Sequence, residues 1–130
     1  MPDLDTEGYW LIPQDLYAQW DQEFHFTFDP CPYPRPPAFD GLRVPWGDAN
    51  WVNPPFKGGI TPWIRKAVEE QAAGKTSVLI LPLDRWMSYL VRAHAEIRYV
   101  GDNYWVHTRT GERRKTNRPS FLFILRGLPL

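Results

Sequence analysis

The pattern of hydrophobic and polar positions predicts helices and strands that alternate along most of the chain. Apolar residues at helical spacing follow Pro13, follow Thr61 and follow Asp84. Between these helices the pattern predicts strands at residues 24–28, 50–53 and 76–83. The third strand is a continuous apolar run, which is typical of a strand buried on both faces of a sheet. Thr61 is the expected N-cap of the second helix, and Gly74 is the glycine expected at its end.

In the C-terminal third of the chain, the pattern predicts strands without helices between them. Short strands are expected at residues 96–100, 104–107 and 121–125, and residues 108–118 are expected to form a polar, basic loop or hairpin turn. Together the two patterns predict an α/β sheet that is mostly parallel, with an antiparallel edge from the C-terminal strands. At this length, residues 1–130 are expected to form one domain, with 1–8 as a loose terminus.

Composition and charge narrow the class of protein. Fifteen basic residues balance fifteen acidic ones, so bulk charge alone does not hold a nucleic acid to this chain. The single cysteine, Cys31, excludes an internal disulfide and fits a reducing compartment. The acidic start does not resemble a signal peptide, and no apolar run approaches the ~18 residues of a membrane span. We therefore expect a cytoplasmic protein without a membrane partner.

The three histidines do not suggest a metal site. His25, His94 and His107 are far apart in the sequence, and no second cysteine or cluster of carboxylates lies beside them. No metal is therefore expected.

Two predicted strands end in polar residues that suit a ligand site. Asp29 follows the strand at 24–28, and Asn53 ends the strand at 50–53. In open α/β sheets, ligands bind outside the carboxyl ends of the strands. If the two strands are parallel neighbours, Asp29 and Asn53 line the same crevice.

The segment Asn53-Pro54-Pro55-Phe56 carries groups that suit an amino group on a flat base. Two consecutive prolines fix the backbone. The Asn53 side-chain oxygen and the Pro54 carbonyl can each accept a hydrogen bond from an exocyclic amino group. This turns the nitrogen lone pair toward an incoming methyl group, so orientation supplies most of the catalysis. Phe56 can stack on the base.

The same segment matches the (D/N)PP(Y/F/W) signature of amino-group methyltransferases that use S-adenosyl-L-methionine. From about Trp10 to Arg126, the chain is similar to the small phage-type DNA N6-adenine methyltransferases. The resemblance implies a reduced Rossmann-like methyltransferase sheet with helices on both faces. The other segments that carry it are Trp10…Ile12-Pro13, Phe28-Asp29-Pro30-Cys31, Asp40-Gly41-Leu42, Trp46-Gly47, Leu79-Ile80-Leu81-Pro82 and the strand Ser120–Leu125.

The resemblance also implies roles for single residues. The target-amine site would consist of Asn53, Pro54, Pro55 and Phe56. The residues that it implies for S-adenosyl-L-methionine are Trp10, Ile12, Pro13, Asp29, Pro30, Cys31, Asp40 and Leu42. The chain departs from the family pattern in two places: no Gly-x-Gly follows the first strand, and isoleucine precedes Pro13 where threonine is common.

Basic residues are expected to contact DNA phosphates close to this site. The alternative is that they form only a solvated loop. About 20 residues separate Asp29 from the next strand, which leaves no room for a separate recognition domain, since each strand–helix unit needs ~30 residues. Sequence specificity must then come from short loops or from a second subunit in a homodimer. The predicted DNA-binding residues are Lys57, Arg109, Arg113, Arg114, Lys115 and Arg118.

The expected function is methyl transfer to N6 of a flipped adenine in DNA, in a bacterial host cell if a phage encodes the chain. One alternative is a methyltransferase that acts on another amine or amide, such as a glutamine side chain of a protein. The other is a non-enzymatic nucleic-acid-binding module on a degenerate methyltransferase fold. Binding of S-adenosyl-L-methionine separates the enzyme from the module.

Overall fold

Seven strands and three helices make up the part of the chain that the structure, a computed structural model, describes: residues 10–55, 58–101, 104–115 and 118–129. The predicted loose terminus at 1–8 lies outside these ranges. The elements are β1 (Trp10–Leu11), α1 (Gln14–Phe24), β2 (Ala49–Val52), α2 (Thr61–Ala72), β3 (Thr76–Pro82), α3 (Met87–Arg92), β4 (Glu96–Gly101), β5 (Tyr104–His107), β6 (Arg113–Lys115) and β7 (Ser120–Leu125).

The larger sheet has four strands in the order β2-β3-β7-β4. Strands β2 and β3 are parallel, but β7 pairs antiparallel with both of its neighbours. The smaller sheet, β1-β5-β6, is antiparallel throughout. The predicted Rossmann-like sheet, mostly parallel, is therefore wrong. The apolar run of β7 fits a central position in either direction, and its placement between β3 and β4 makes the larger sheet mixed.

The two faces of the larger sheet bury separate cores. Along β3, Val78 and Ile80 face one core, and Leu79 and Leu81 face the other, as the alternation of a strand requires. Helix α1 and the smaller sheet cover the first face, while α2 and α3 cover the second. In the described ranges no helix is long and apolar enough to cross a membrane.

The predicted strand at 24–28 is reduced to a single parallel bridge between Phe28 and Asn50. Helix α1 continues through Phe24 and ends at His25, whose φ is 53°. Phe24 and Phe26 stack on each other, and Phe26 also contacts Trp51. The alternating aromatic residues therefore serve side-chain packing rather than a strand ladder.

One of the two caps predicted for α2, Thr61 and Gly74, agrees with the structure. Thr61 is the first helical residue and Ile60 occupies the N-cap position, so the prediction for Thr61 is wrong. At the other end Gly74 has a φ of 87°, and the Lys75 N–H donates to the Glu70 carbonyl. This left-handed glycine confirms the predicted helix end.

Candidate active site

Asn53 and Asp29 follow chain segments that run side by side. Phe28 pairs with Asn50 in parallel, and the Trp51 N–H donates to the Phe28 carbonyl over 3.0 Å. Both segments therefore run in the same direction and leave the sheet at the same edge. This places the two predicted site residues at one end of the fold, where the sequence pattern expected them.

Asn53 is held between the two sheets. It is 3% exposed, and its side-chain Nδ2 donates to the Trp10 carbonyl over 3.4 Å. Asn53 follows β2 of the larger sheet, whereas Trp10 belongs to β1 of the smaller one. The donation assigns the orientation of the amide, with Nδ2 directed to the Trp10 carbonyl. Pro54 and Pro55 are also buried; Phe56 and Lys57 lie outside the described residues.

We call Asn53, Pro54 and Pro55 the first wall of the candidate site. Asp29, Pro30 and Cys31 form its second wall. Asp29 Oδ1 accepts from the Cys31 N–H over 2.8 Å. Loss of hydration raises the pKa of Asp29 to about 6, although the hydrogen bond from Cys31 opposes this rise. Burial likewise raises the pKa of the Cys31 thiol. Asp29 is therefore a carboxylate that titrates close to neutral pH, and Cys31 is a packed side chain.

A close approach of two backbones holds this second wall. A Cβ at Gly41 would lie 1.9 Å from the Pro30 carbonyl oxygen, so only glycine fits there. Trp46 Nε1 donates to the Gly41 carbonyl over 2.7 Å, and the Trp46 N–H donates to Glu70 on α2 over 3.2 Å. The predicted Asp40–Leu42 turn is thus fixed against the Asp29 loop and against α2.

Asp40 itself is an exposed turn residue. Its Oδ1 accepts from the Leu42 N–H over 2.9 Å, and its Oδ2 lies 3.4 Å from Arg43 Nε. Leu42 is half-buried against the core that α2 and α3 cover. The carboxylate is therefore accessible to a ligand that approaches from solvent.

Three N-terminal residues of the predicted cofactor set have structural partners. Trp10 and Ile12 are each 8% exposed and belong to the core beneath α1. Pro13 occupies the N-cap of α1, and its carbonyl accepts from the Leu16 and Tyr17 N–H groups. Burial and then the charges of Asp21 and Asp29 raise the pKa of the Tyr17 phenol.

The described residues of the predicted DNA-binding set lie in two places. Arg109, Arg113, Arg114 and Lys115 are exposed on the β5–β6 hairpin. Arg118 instead donates to the Leu83 carbonyl and lies 3.3 Å from Asp84 Oδ2, just beyond the end of β3. The hairpin therefore carries four of the six predicted DNA-binding residues, and Arg118 borders the same edge of the larger sheet as Asn53.

The sequence interpretation missed the residues that support the two walls. Asn50 is fully buried; its side chain accepts from the Gly47 N–H and donates to the Gly47 and Thr76 carbonyls. Trp46 links the Gly41 turn to Glu70, which lies 24 residues further along the chain. Neither role has a one-dimensional signal beyond a polar residue inside a strand and a tryptophan inside a turn.

A neutral amide at the end of a strand, with a carboxylate loop at the same edge, is the arrangement that the resemblance to amino-group methyltransferases implies. Comparison with known families narrows this class. The chain belongs to the DNA N-6-adenine-methyltransferase (Dam) family, whose model matches residues 3–129. Membership confirms the family and the function predicted from the sequence: transfer of a methyl group to N6 of adenine in DNA.

A curated relative supports this assignment. The chain is 26% identical over 133 residues to the DNA N-6-adenine-methyltransferase of Haemophilus phage HP1 (strain HP1c1). The similarity covers 88% of this chain and 76% of the phage protein. No solved structure is significantly similar to the chain.

Proposed function

We propose that this chain uses S-adenosyl-L-methionine to methylate N6 of an adenine that has left the DNA duplex, with Asn53 as the residue that orients the amine. The observation that carries the proposal is the Asn53 amide, buried at the end of β2 with its Nδ2 directed to the Trp10 carbonyl. In this orientation the amide oxygen can accept one N–H of the adenine amine. The Pro54 carbonyl accepts the other.

The chemical role of these acceptors follows from the electronic structure of adenine. The N6 lone pair is delocalised into the ring, so the nitrogen is a poor nucleophile. Two fixed acceptors that hold the N–H groups turn the lone pair out of conjugation and toward the methyl group. Because Asn53 is neutral, it orients the amine without changing protonation state. The role of Phe56 as a stacking surface stays a prediction from the sequence.

The Asp29 wall fits the cofactor by charge. S-adenosyl-L-methionine supplies an electrophilic methyl group and carries positive charge on its sulfonium and amino groups. Asp29 places a partly buried carboxylate at the edge where Asn53 lies, and Asp40 adds an exposed one. Pro13, Pro30 and the neighbouring residues would shape the site around these charges.

Burial of Asn53 requires the base to leave the duplex. A side chain that is 3% exposed cannot reach N6 of a stacked, paired adenine. The basic β5–β6 hairpin would hold the DNA backbone during this step, which reconciles a chain of zero net charge with a polyanionic substrate. A homodimer and a cytoplasmic location stay predictions.

Two measurements test the proposed function. Calorimetry should detect binding of S-adenosyl-L-methionine, and mass analysis of nucleosides from DNA treated with the protein and cofactor should detect N6-methyladenine. Lack of binding at millimolar cofactor would favour the non-enzymatic module instead. A methylated amine other than N6 of adenine would contradict the assignment of Asn53 to that base.

A further inference from the structure

We propose that Trp10 is a positioning residue that couples DNA contact at Arg114 to the orientation of the Asn53 amide. The inference rests on the proposed function, because it assigns a role within the same site. It differs from the sequence prediction for Trp10, which gave that residue to the cofactor. Three contacts of Trp10 carry it: one through the backbone carbonyl and two through the ring.

The backbone contact connects the two sheets at the amine site. Trp10 and Asn53 are 43 residues apart in the sequence, and the Trp10 carbonyl accepts from Asn53 Nδ2 over 3.4 Å. This distance is near the long limit for a hydrogen bond, and such bonds in unliganded sites often shorten when substrate binds. A small shift of β1 therefore changes how firmly the Asn53 amide is oriented.

Strand β1 has little support of its own. It is two residues long and, within the described part of the chain, pairs only with β5, through Trp10 with His107 and Leu11 with Val106. Side-chain packing of the Trp10 ring must therefore fix the position of its carbonyl. The ring lies edge-on to His107, with ring centroids 4.8 Å apart and planes at 78°.

Arg114 makes the other contact with the Trp10 ring. Its guanidinium carbon lies 5.0 Å from the centre of the Trp10 ring, within the range of a cation–π interaction. The Arg114 side chain is 64% exposed, and its Nη2 lies 2.9 Å from Glu112 Oε1. A planar guanidinium can stack on an aromatic ring and still donate from its edge to a phosphate. A DNA phosphate that replaces Glu112 would hold Arg114 over Trp10.

As a consequence, the kcat of methylation depends on whether a DNA phosphate binds Arg114. With phosphate at its edge, Arg114 keeps the Trp10 ring in place, and the Trp10 carbonyl keeps the Asn53 amide turned toward the amine. Without this contact, β1 relies on His107 and the core alone. The proposal thus connects DNA recognition at Arg114 to amine orientation at Asn53 through the contacts of Trp10.

The test compares Arg114→Lys with the matched variant Arg113→Lys. Both keep one positive charge on β6, but it is Arg114 whose guanidinium lies over the Trp10 ring. We expect Arg114→Lys to lower kcat by about two- to fivefold, since lysine lacks the planar face, with the cofactor Kd unchanged. Arg113→Lys should raise the KM for DNA and lower kcat less than Arg114→Lys does, so the ratio of the two kcat values reports the contact with Trp10.

A second pair of variants separates positioning from cofactor binding. Trp10→Phe keeps a ring under Arg114 and should retain most of the kcat, whereas Trp10→Ala should lower kcat by about a hundredfold. Neither should change the Kd of the cofactor measured by calorimetry. A cofactor Kd raised tenfold or more in Trp10→Phe would return Trp10 to the cofactor site and overturn the proposal.

The outcomes distinguish this inference from the proposed function. If the wild-type protein methylates DNA but Arg114→Lys and Arg113→Lys give the same kcat, the coupling is wrong and the function stands. If the wild-type protein binds cofactor but makes no N6-methyladenine, the proposed function fails and the coupling fails with it. Since Arg114 is exposed, its substitution keeps the test valid even if Trp10→Ala does not fold.

Discussion

The two walls of the candidate site lie at the same edge of the fold but are built differently. The Asn53 wall is buried and neutral, and it is held by β2 on one side and by the Trp10 carbonyl on the other. The Asp29 wall is charged and partly buried, and it lies in a loop rather than at the end of a strand ladder. Under the proposed function, this contrast separates orientation of the amine, which uses a fixed neutral group, from cofactor binding, which uses charge.

The walls also depend on different supports. A hydrogen bond from its Nδ2 to the Trp10 carbonyl holds Asn53, whereas the Gly41–Pro30 contact and the Trp46 hydrogen bonds hold the Asp29 loop. Damage to the first wall should therefore appear in kcat. Damage to the second should appear in the Kd of the cofactor and in stability.

The largest effect is expected from Asn53→Ala. Loss of the amide oxygen should lower kcat by about 100- to 1,000-fold, comparable with the removal of one oxyanion-hole donor, while the cofactor Kd stays nearly unchanged. Steady-state kinetics with DNA and calorimetry with the cofactor measure the two quantities. Retained kcat would refute the role of Asn53.

Asn50 provides the matched control for that variant. It is as deeply buried and lies three residues earlier, but its hydrogen bonds go to backbone groups of the fold. Asn50→Ala should lower the free energy of unfolding by about 2 kcal/mol or more, because it leaves buried backbone groups unpaired. The folded fraction should keep the wild-type kcat. A kcat loss equal to that of Asn53→Ala would erase the distinction between the two asparagines.

Gly41→Ala should break the second wall. The added methyl group meets the Pro30 carbonyl oxygen, so the turn and the Asp29 loop must move apart, at a cost of about 3 kcal/mol in unfolding free energy. Thermal unfolding and calorimetry should show lower stability and a cofactor Kd raised at least tenfold. Gly111→Ala is the control: its Cβ has nothing within 4 Å, and only its φ of 71° opposes the substitution. An unchanged cofactor Kd in Gly41→Ala would separate the turn from the cofactor.

Asp29→Asn should remove a pH dependence from both stability and binding. The pKa of Asp29 rises on folding from its ordinary 3.8 to about 6. Its contribution to stability is therefore complete below pH 3.8 and is lost as the pH rises through about 6. Affinity for a cationic cofactor should change in the opposite direction, increasing as the carboxylate ionises.

Calorimetry between pH 5 and pH 8 would test this prediction. The wild-type cofactor Kd should fall as the pH rises through about 6, while Asp29→Asn should bind about tenfold more weakly at pH 8 with a flatter profile. Equal pH profiles for the two proteins would show that Asp29 does not face the cofactor.

The smallest effect is expected from Asp40→Asn. The amide oxygen can still accept from the Leu42 N–H, so the turn keeps its hydrogen bond. Stability should change by less than about 0.5 kcal/mol, as at most exposed positions. A modest rise in the cofactor Kd would report the lost charge alone, and no rise would remove Asp40 from the second wall.

Much of the local structure followed from the sequence, because it depends on neighbours along the chain. The stripe after Pro13 became α1, the stripe after Thr61 became α2, and Gly74 ended that helix in the left-handed conformation. The strand at 24–28 failed because its alternating aromatic residues pack against Tyr17 and Trp51 instead of pairing in a ladder. The prediction of a mostly parallel sheet was also wrong, because an apolar run does not specify the direction of the strand beside it.

The sequence by itself determined the family, the helices and the end of β2 that carries Asn53. These depend on motif residues and on periodicity, which the order of side chains records directly. Only the tertiary structure decided that β7 returns between β3 and β4, that Gly41 meets Pro30, and that the Trp10 carbonyl holds the Asn53 amide. Each of these contacts joins segments that are distant in the chain, and nothing in either segment alone specifies the other.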